Sequence, residues 1–169
     1  KVTGEATKEI EELLDDCICE FKTYVSYKAC YRLFDVKKDE SSLIFQNEMV
    51  LNSESLKKNL SGCDRAIVFV ATTSLSTDRL IHKYSSTQVS RALVIDAVAS
   101  AAVEAFCDIL CEKFKSEFSA DIAPRFSPGY GDLDISVQKQ VTSVCDATRK
   151  VGVTLSKKFT MIPRKSVSA

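Results

Sequence analysis

The stretch Ile67-Val68-Phe69-Val70-Ala71 is an uninterrupted apolar run of the length of a β-strand. A strand with one face in water alternates apolar and polar residues, and this run carries no polar residue. We therefore predict a strand whose two faces are both covered by other elements. The sequence on either side of it has to supply those elements.

Upstream of this strand the sequence predicts a helix, further strands and a short capped helix. Apolar residues recur at helical spacing near the N-terminus, which predicts an amphipathic helix over about residues 4–22. The predicted segments that follow are a strand at Tyr24–Val36, a hairpin of Leu43–Phe45 and Met49–Leu51 around Gln46-Asn47, and a helix from Asn52 or Ser53 to Leu60, ended by Ser61-Gly62.

Downstream the sequence predicts mainly helices and a loop. Thr87–Phe118 is a long helical stretch whose middle, Ala97–Ala105, consists largely of small residues, so we expect this helix to be central. The remaining predicted segments are a turn and helix at Thr72–Tyr84, a loop at Asp121–Asp134, a helix from Asp134 or Ser136 to Gly152, and strands at Thr154–Met161 and Ser166–Ala169.

This order of elements predicts a single domain over residues 1–169 of the α+β class, with an antiparallel β-sheet flanked by helices. The chain holds 23 basic and 23 acidic residues, so no long-range field favours nucleic acid or an anionic membrane as a partner. No apolar run is long enough to span a bilayer, and no signal peptide is recognisable. We expect a cytoplasmic protein.

Seven cysteines at irregular spacing do not indicate a disulfide framework. No Cys-x-x-Cys pair occurs and His82 is the only histidine, which argues against a structural zinc site. Most of the cysteines are expected to be small core residues. A thiol or cluster site at Cys107 and Cys111 is the alternative.

The loop Arg125-Phe126-Ser127-Pro128-Gly129-Tyr130-Gly131-Asp132 carries a cation, an aromatic ring and an acid in a turn-rich segment, where binding groups tend to lie. An ordinary tight turn between helices is the competing interpretation. No Ser-His-Asp triad, P-loop or G-x-G-x-x-G pattern accompanies the loop, so no catalytic residues are predicted. His82 stands four residues after Asp78 and is expected to be a surface histidine.

This loop resembles the Arg-Pro-Ala-Pro-Gly-Tyr loop of the activation (reactivation) domain of cobalamin-dependent methionine synthase. The C-terminal block is similar too: Met161-Ile162-Pro163 and Lys165-Ser166-Val167-Ser168-Ala169 resemble the Pro-x-x-Ser-Val-Ser strand of that family. The likeness covers about Leu60 to Ala169 and is greatest to stand-alone bacterial relatives of the domain.

The resemblance implies a stand-alone protein that supports reductive methylation of the cobalamin of methionine synthase. S-adenosylmethionine is then the bound methyl donor, and cobalamin belongs to the partner protein. The implied partners are the cobalamin-binding module of methionine synthase or another corrinoid protein, with a flavodoxin or ferredoxin as electron donor. The implied S-adenosylmethionine-binding residues are Arg125, Ser127, Gly129, Tyr130 and Glu104, although a helical glutamate is more often solvated or salt-bridged.

Three segments depart from the family pattern. Gly131-Asp132-Leu133-Asp134-Ile135 replaces a Pro-Ala-Cys-Pro-Glu-His type of sequence, and Thr72-Thr73-Ser74 stands where relatives have Thr-x-Gly. Leu155-Ser156-Lys157-Lys158 replaces Leu-Thr-Glu-Ser, which exchanges an acid for two cations and is expected to weaken attraction for a positive ligand. A non-catalytic module that docks on a corrinoid protein without S-adenosylmethionine is therefore the alternative function.

Overall fold

The predicted buried strand forms most of β4 in a five-stranded antiparallel sheet of order β3-β2-β1-β4-β7. The computed structural model describes residues 8–40 and 42–169. Its strands are β1 Lys28–Lys38, β2 Leu43–Phe45, β3 Met49–Leu51, β4 Arg65–Thr72, β5 Thr154–Leu155, β6 Met161–Ile162 and β7 Ser166–Ser168. Strands β5 and β6 form a separate hairpin.

Helices cover both faces of this sheet, as the apolar run predicts. They are α1 Lys8–Tyr24, α2 Glu54–Asn59, α3 Leu75–Tyr84, α4 Val89–Phe118, α5 Gln138–Val144 and α6 Ala147–Val151, with a 3-10 turn at Ile135–Val137. Val68 and Val70 pack in one core with residues of α5 and α6, and Phe69 and Ala71 pack against α4 on the other face. The predicted α+β class with an antiparallel sheet is confirmed.

Strand β1 is the main neighbour of β4. The two strands pair antiparallel from Lys28 opposite Thr72 to Asp35 opposite Arg65. Phe34 of β1 is fully buried in the core with α5 and α6. Burial of a side chain of this size contributes about 1.5–3 kcal/mol. The long ladder and its core therefore form the stable centre of the fold.

Helix α1 packs on α3 and α4 through a second core that includes Cys17, Phe21 and Ile95. The carboxylate of Glu20 ties the three helices together, because it lies 2.8 Å from the Arg91 guanidinium, 3.1 Å from Lys83 Nζ and 2.7 Å from the Tyr84 hydroxyl. Residues 4–7 of the predicted helix lie outside the described residues.

The first predicted strand begins too early, because Tyr24 is the last residue of α1 and β1 starts at Lys28. The hairpin that follows is confirmed. Gln46 and Asn47 both have positive φ, 45° and 61°, as the two central residues of a type I′ turn require, and the Glu48 N–H closes that turn by donating to the Phe45 carbonyl at 2.9 Å. Ser53 caps α2, since its hydroxyl accepts a hydrogen bond from the Leu56 N–H.

The expectation that the small-residue helix is central is wrong. Helix α4 covers the sheet, α1 and α3 with one face only, and its opposite face is exposed. Leu93 and Ile109, which lie outside the packed face, are 67% and 66% exposed. No helix in the described part of the chain is long and apolar enough to cross a membrane.

The C-terminal third consists of more and shorter elements than predicted. The helix expected to run to Gly152 divides at Asp146, which has a left-handed φ of 52°, into α5 and α6. Gly152 ends α6 with φ 74°, so the predicted stop is confirmed. The strand predicted at Thr154–Met161 is the two-stranded hairpin of β5 and β6, with a turn between them.

We predict that Ser74→Gly stabilises the protein by about 1 kcal/mol. Ser74 precedes α3 with φ 72° and ψ 167°, a region that is nearly restricted to glycine and costs other residues about 1–3 kcal/mol. The loss of the Ser74–Ser76 hydroxyl contact and the greater entropy of unfolded glycine offset part of the gain.

Chemical denaturation of the two proteins measures this difference. Ser85→Gly is the matched control, because Ser85 has helical angles of φ −60° and ψ −26° and glycine there is expected to destabilise. A destabilised Ser74→Gly protein would contradict the prediction.

Candidate functional site

An open cavity of about 200 Å³ lies where α4, β7 and the loop of residues 119–134 meet. We call residues 119–134 the site loop. The cavity wall consists of Glu104, Arg125, Ser127, Tyr130 and Val167. Four of the five side chains proposed from the sequence are therefore brought together around one space, although they come from two different elements.

Arg125 is the central charged group of the cavity. Its Nη2 lies 3.0 Å from Glu104 Oε2, and its Nη1 lies 2.8 Å from Asp108 Oδ1. The guanidinium is one-quarter exposed, whereas the Glu104 and Asp108 side chains are 59% and 73% exposed. Exposed ion pairs of this kind contribute only about 0–1 kcal/mol, so an incoming carboxylate can replace them.

Asp108 was missed by reasoning from the sequence. It stands four residues after Glu104 on α4, and positions four apart lie next to each other on a helix surface. The four-residue spacing is the feature of the sequence from which the neighbouring positions of the two acids could have been predicted. Asp108 is not part of the cavity wall, but its ion pair with Arg125 places a second negative charge next to the Arg125–Glu104 pair of the wall.

Tyr130 presents its ring to solvent at the cavity mouth and is 59% exposed. Phe126 supports it from behind with an edge-to-face contact, in which the ring centroids lie 6.1 Å apart. The free face of an aromatic ring attracts cations. Such a ring on the same cavity wall as the Glu104 carboxylate makes this part of the cavity favourable for a positively charged group.

Gly129 does not line the cavity; its part is to shape the loop. Its φ of 93° allows its N–H to bond the Leu133 carbonyl at 2.8 Å. The next residue, Tyr130, donates its N–H to Ser127, which closes a tight turn. The turn projects the Tyr130 ring toward the cavity, so Gly129 acts on the site through the loop backbone.

Asp132 holds the site loop to the rest of the molecule. Its carboxylate accepts the Ser53 hydroxyl at 2.5 Å and the backbone N–H groups of Glu54 and Ser55 at 2.7 and 3.1 Å. Donation by the Ser53 hydroxyl and then by the Glu54 N–H holds the pKa of Asp132 far below its usual value. This acid is therefore an anchor at the N-terminus of α2, whereas the sequence suggested a binding group.

Lys157 and Lys158 lie in the turn between β5 and β6, and both are exposed. Neither lysine is part of the cavity wall. The cations that depart from the family pattern are therefore not placed against the charged groups of the cavity, and water and salt reduce their effect on the potential there.

All seven cysteines are free thiols. Cys107 is fully buried between α4 and the sheet, and burial raises the pKa of its thiol to about 12. Across residues 8–40 and 42–169 no three His, Cys, Asp or Glu side chains are grouped to hold a metal ion. His82 is exposed, and the Asp78 carboxylate accepts the backbone N–H of Arg164.

No family model and no curated protein matches this chain. Among solved structures it matches the MetH reactivation domain bound to AdoHcy, with a TM-score of 0.75 and 17% sequence identity. The match covers 95% of this chain and 64% of that domain, so the chain spans less than two thirds of its length. The fold is therefore that of the MetH reactivation domain.

We predict that Gly131→Ala destabilises the protein by more than Gly62→Ala. Both glycines have positive φ, 54° and 87°, but a Cβ at Gly131 would lie 2.7 Å from Ser55 Cβ, whereas one at Gly62 would meet open space. The added clash pushes the site loop away from α2, and the excess is expected to be about 1–3 kcal/mol. Denaturant unfolding of both variants measures it; equal losses would count against the close approach.

The lowered pKa of Asp132 predicts how the stability of the protein depends on pH. Because its folded pKa lies below its unfolded value, its stabilising contribution is present above about pH 4 and is lost as pH falls further. Asp132→Asn is therefore less stable than wild type at pH 6, and the difference narrows toward pH 3. Melting temperatures at both values test this. Asp121→Asn in the same loop serves as the control, and a pH-independent difference would refute the assignment.

Proposed function

We propose that this protein binds S-adenosylmethionine in the site-loop cavity and presents its methyl group to a cobalamin-bearing partner. It would act as a stand-alone bacterial counterpart of the MetH reactivation domain, in the cytoplasm. The observation that carries the proposal is the arrangement around Arg125: one guanidinium between two carboxylates, beside an exposed aromatic ring. The shared fold supports it.

The charges of the cavity complement those of S-adenosylmethionine. The ligand carries a carboxylate, an ammonium and a sulfonium, a net charge of +1, whereas Arg125 with its partners Glu104 and Asp108 carries a net charge of −1. Arg125 takes the carboxylate, because a planar guanidinium pairs with it through two parallel hydrogen bonds. Glu104 and Asp108, released from Arg125, then face the ammonium and the sulfonium.

Tyr130 and the loop backbone complete the proposed site. A sulfonium over the Tyr130 ring gains about 0.5–2 kcal/mol of cation–π attraction. Ser127 contributes polar contacts from the cavity wall, and Gly129 shapes the turn that carries Ser127 and Tyr130. S-adenosylhomocysteine lacks the positive sulfur, so it loses the attraction to both the ring and the acids.

The protein's own contribution to reactivation is binding and orientation. The partner's cobalamin supplies the methyl-accepting chemistry, after one-electron reduction by a flavodoxin or ferredoxin. The cobalamin-binding module of methionine synthase is the proposed partner. Arg125, Glu104 and Tyr130 hold the donor with its methyl toward the open mouth of the cavity, and no side chain of this chain makes or breaks a bond.

A second function is favoured by one observation. Arg125 is already paired with both Glu104 and Asp108, so the cavity satisfies its own charges without a ligand. A module that docks on a corrinoid protein and has lost S-adenosylmethionine would have such an arrangement. This function predicts that partner affinity does not change when S-adenosylmethionine is added.

Isothermal titration calorimetry with S-adenosylmethionine tests the first function. We expect saturable binding by wild type and a loss of at least tenfold in affinity for Arg125→Ala, because the ligand carboxylate loses its charged partner. Glu104→Gln is expected to reduce the preference for S-adenosylmethionine over S-adenosylhomocysteine. Lys157→Ala, outside the cavity, is the control and retains wild-type affinity.

A second measurement distinguishes between the two proposed functions. Affinity for a purified cobalamin-binding module of methionine synthase is compared with and without S-adenosylmethionine. An affinity that changes when S-adenosylmethionine is added supports the methyl-donor function. An affinity for the corrinoid protein that is the same with and without S-adenosylmethionine supports the docking module. Wild-type protein that shows neither heat with S-adenosylmethionine nor affinity for the module would eliminate both.

A further inference from the structure

Two free cysteines meet in the core between the sheet and the helices α5 and α6. Cys30 lies on β1 and is 6% exposed, whereas Cys145 directly follows α5 and is fully buried. Both residues belong to the core that β1 and β4 share with these two helices. The proposed function uses neither thiol, so any chemistry of this pair is independent of the site-loop cavity.

The strand register explains why the two side chains meet. Cys30 lies opposite Val70 in the ladder of β1 and β4, and Val68 is the next β4 residue on the same face. Cys145 approaches this face from α5, and its Sγ lies 3.3 Å from the Val68 carbonyl oxygen. The Cys30 sulfur is the second acceptor within hydrogen-bonding reach of the Cys145 S–H. The two side chains therefore converge, as a disulfide requires.

The two thiols differ in acidity. Burial by itself raises the pKa of a thiol, as it does at Cys17 and Cys107. The pKa of Cys30 is instead lowered, chiefly by the hydrogen bond from Cys145 and further by the positive charge of Lys150. The same hydrogen bond raises the pKa of Cys145. Cys30 is therefore the more nucleophilic sulfur of the pair, and Cys145 keeps its proton.

The surroundings of the pair favour a small reagent. Arg32, on the same face of β1, donates from Nη1 to the Val144 carbonyl at 3.4 Å, so its side chain lies next to Cys145. Cys30 offers only a narrow exposed area. Hydrogen peroxide has two heavy atoms and fits such an opening, whereas an aromatic disulfide reagent or glutathione disulfide is far larger.

We propose that Cys30 and Cys145 form a reversible disulfide within the folded protein, with a small peroxide as the oxidant. The Cys30 sulfur attacks one peroxide oxygen, the O–O bond breaks, and Cys30 becomes a sulfenic acid while the other oxygen leaves as water with the thiol proton. The Cys145 sulfur then attacks the Cys30 sulfur, the S–O bond breaks, and the hydroxyl leaves as water with the Cys145 proton. Two thiols are oxidised and one peroxide is reduced to two waters.

Treatment of the whole folded chain with hydrogen peroxide, ended by catalase, tests the proposal. Cys30 and Cys145 are expected to lose their free thiols together, and digestion without reduction is expected to give a peptide pair joined through these two residues. Dithiothreitol is expected to restore both thiols. Linked peptides that join only other cysteines, or a Cys30 and Cys145 that both remain free thiols, would overturn the proposal.

Single substitutions test the order of the two steps. Cys145→Ser keeps a hydroxyl that donates to the Val68 carbonyl but removes the second sulfur, so the Cys30 sulfenic acid is expected to persist and to be trapped by dimedone on unfolding. Cys30→Ala removes the attacking sulfur, so Cys145 is expected to remain a thiol. Cys17→Ala, at another fully buried helical cysteine, is the matched control and retains the bridge.

Oxidation of Cys145 in the Cys30→Ala protein as fast as that of Cys30 in the Cys145→Ser protein would overturn the assigned order. The wild-type measurement decides the proposal if a variant does not fold. An aromatic disulfide reagent added to folded wild type is expected to label the exposed Cys19 and to leave Cys30 unlabelled. Equally fast labelling of both residues would contradict the preference for a small oxidant.

Discussion

The burial of β4 on both faces is the constraint on which the rest of the structure depends. A strand with apolar side chains on each side needs a layer of helix above it and another below it. Helix α4 forms one layer and α5 with α6 forms the other, while β1 pairs along the full length of one edge. Strand β7 lies along the second edge and pairs with β4 at Val70–Thr72.

Local patterns were sufficient wherever an element depends on its own residues. The turn at Gln46-Asn47, the Ser53 cap and the Gly152 stop follow from backbone preferences that act over a few positions. Local sequence patterns failed where packing between segments that are distant in sequence determines the secondary structure. Tyr24 has strand-like composition but completes α1, and Asp146 breaks a helix whose apolar spacing continues past it.

The candidate site shows the same division. The resemblance to a known loop selects Arg125 and Tyr130, which are neighbours in sequence, and the structure places both at one cavity. The pairing of Arg125 with Asp108 depends on how the loop folds back on α4, which no local pattern specifies. Asp132 bonds Ser53, 79 positions earlier, so its anchoring role is visible only in three dimensions.

The attachment of Asp132 to α2 separates two tasks within one short loop. Asp132 holds the loop in place, and the side chains that face the cavity take no part in that attachment. Ser127 and Tyr130 are therefore free to be exchanged without dislodging the backbone that carries them. Substitutions at the cavity residues of this loop can therefore change which ligand the loop recognises, while Asp132 keeps the loop backbone at the same place in the fold.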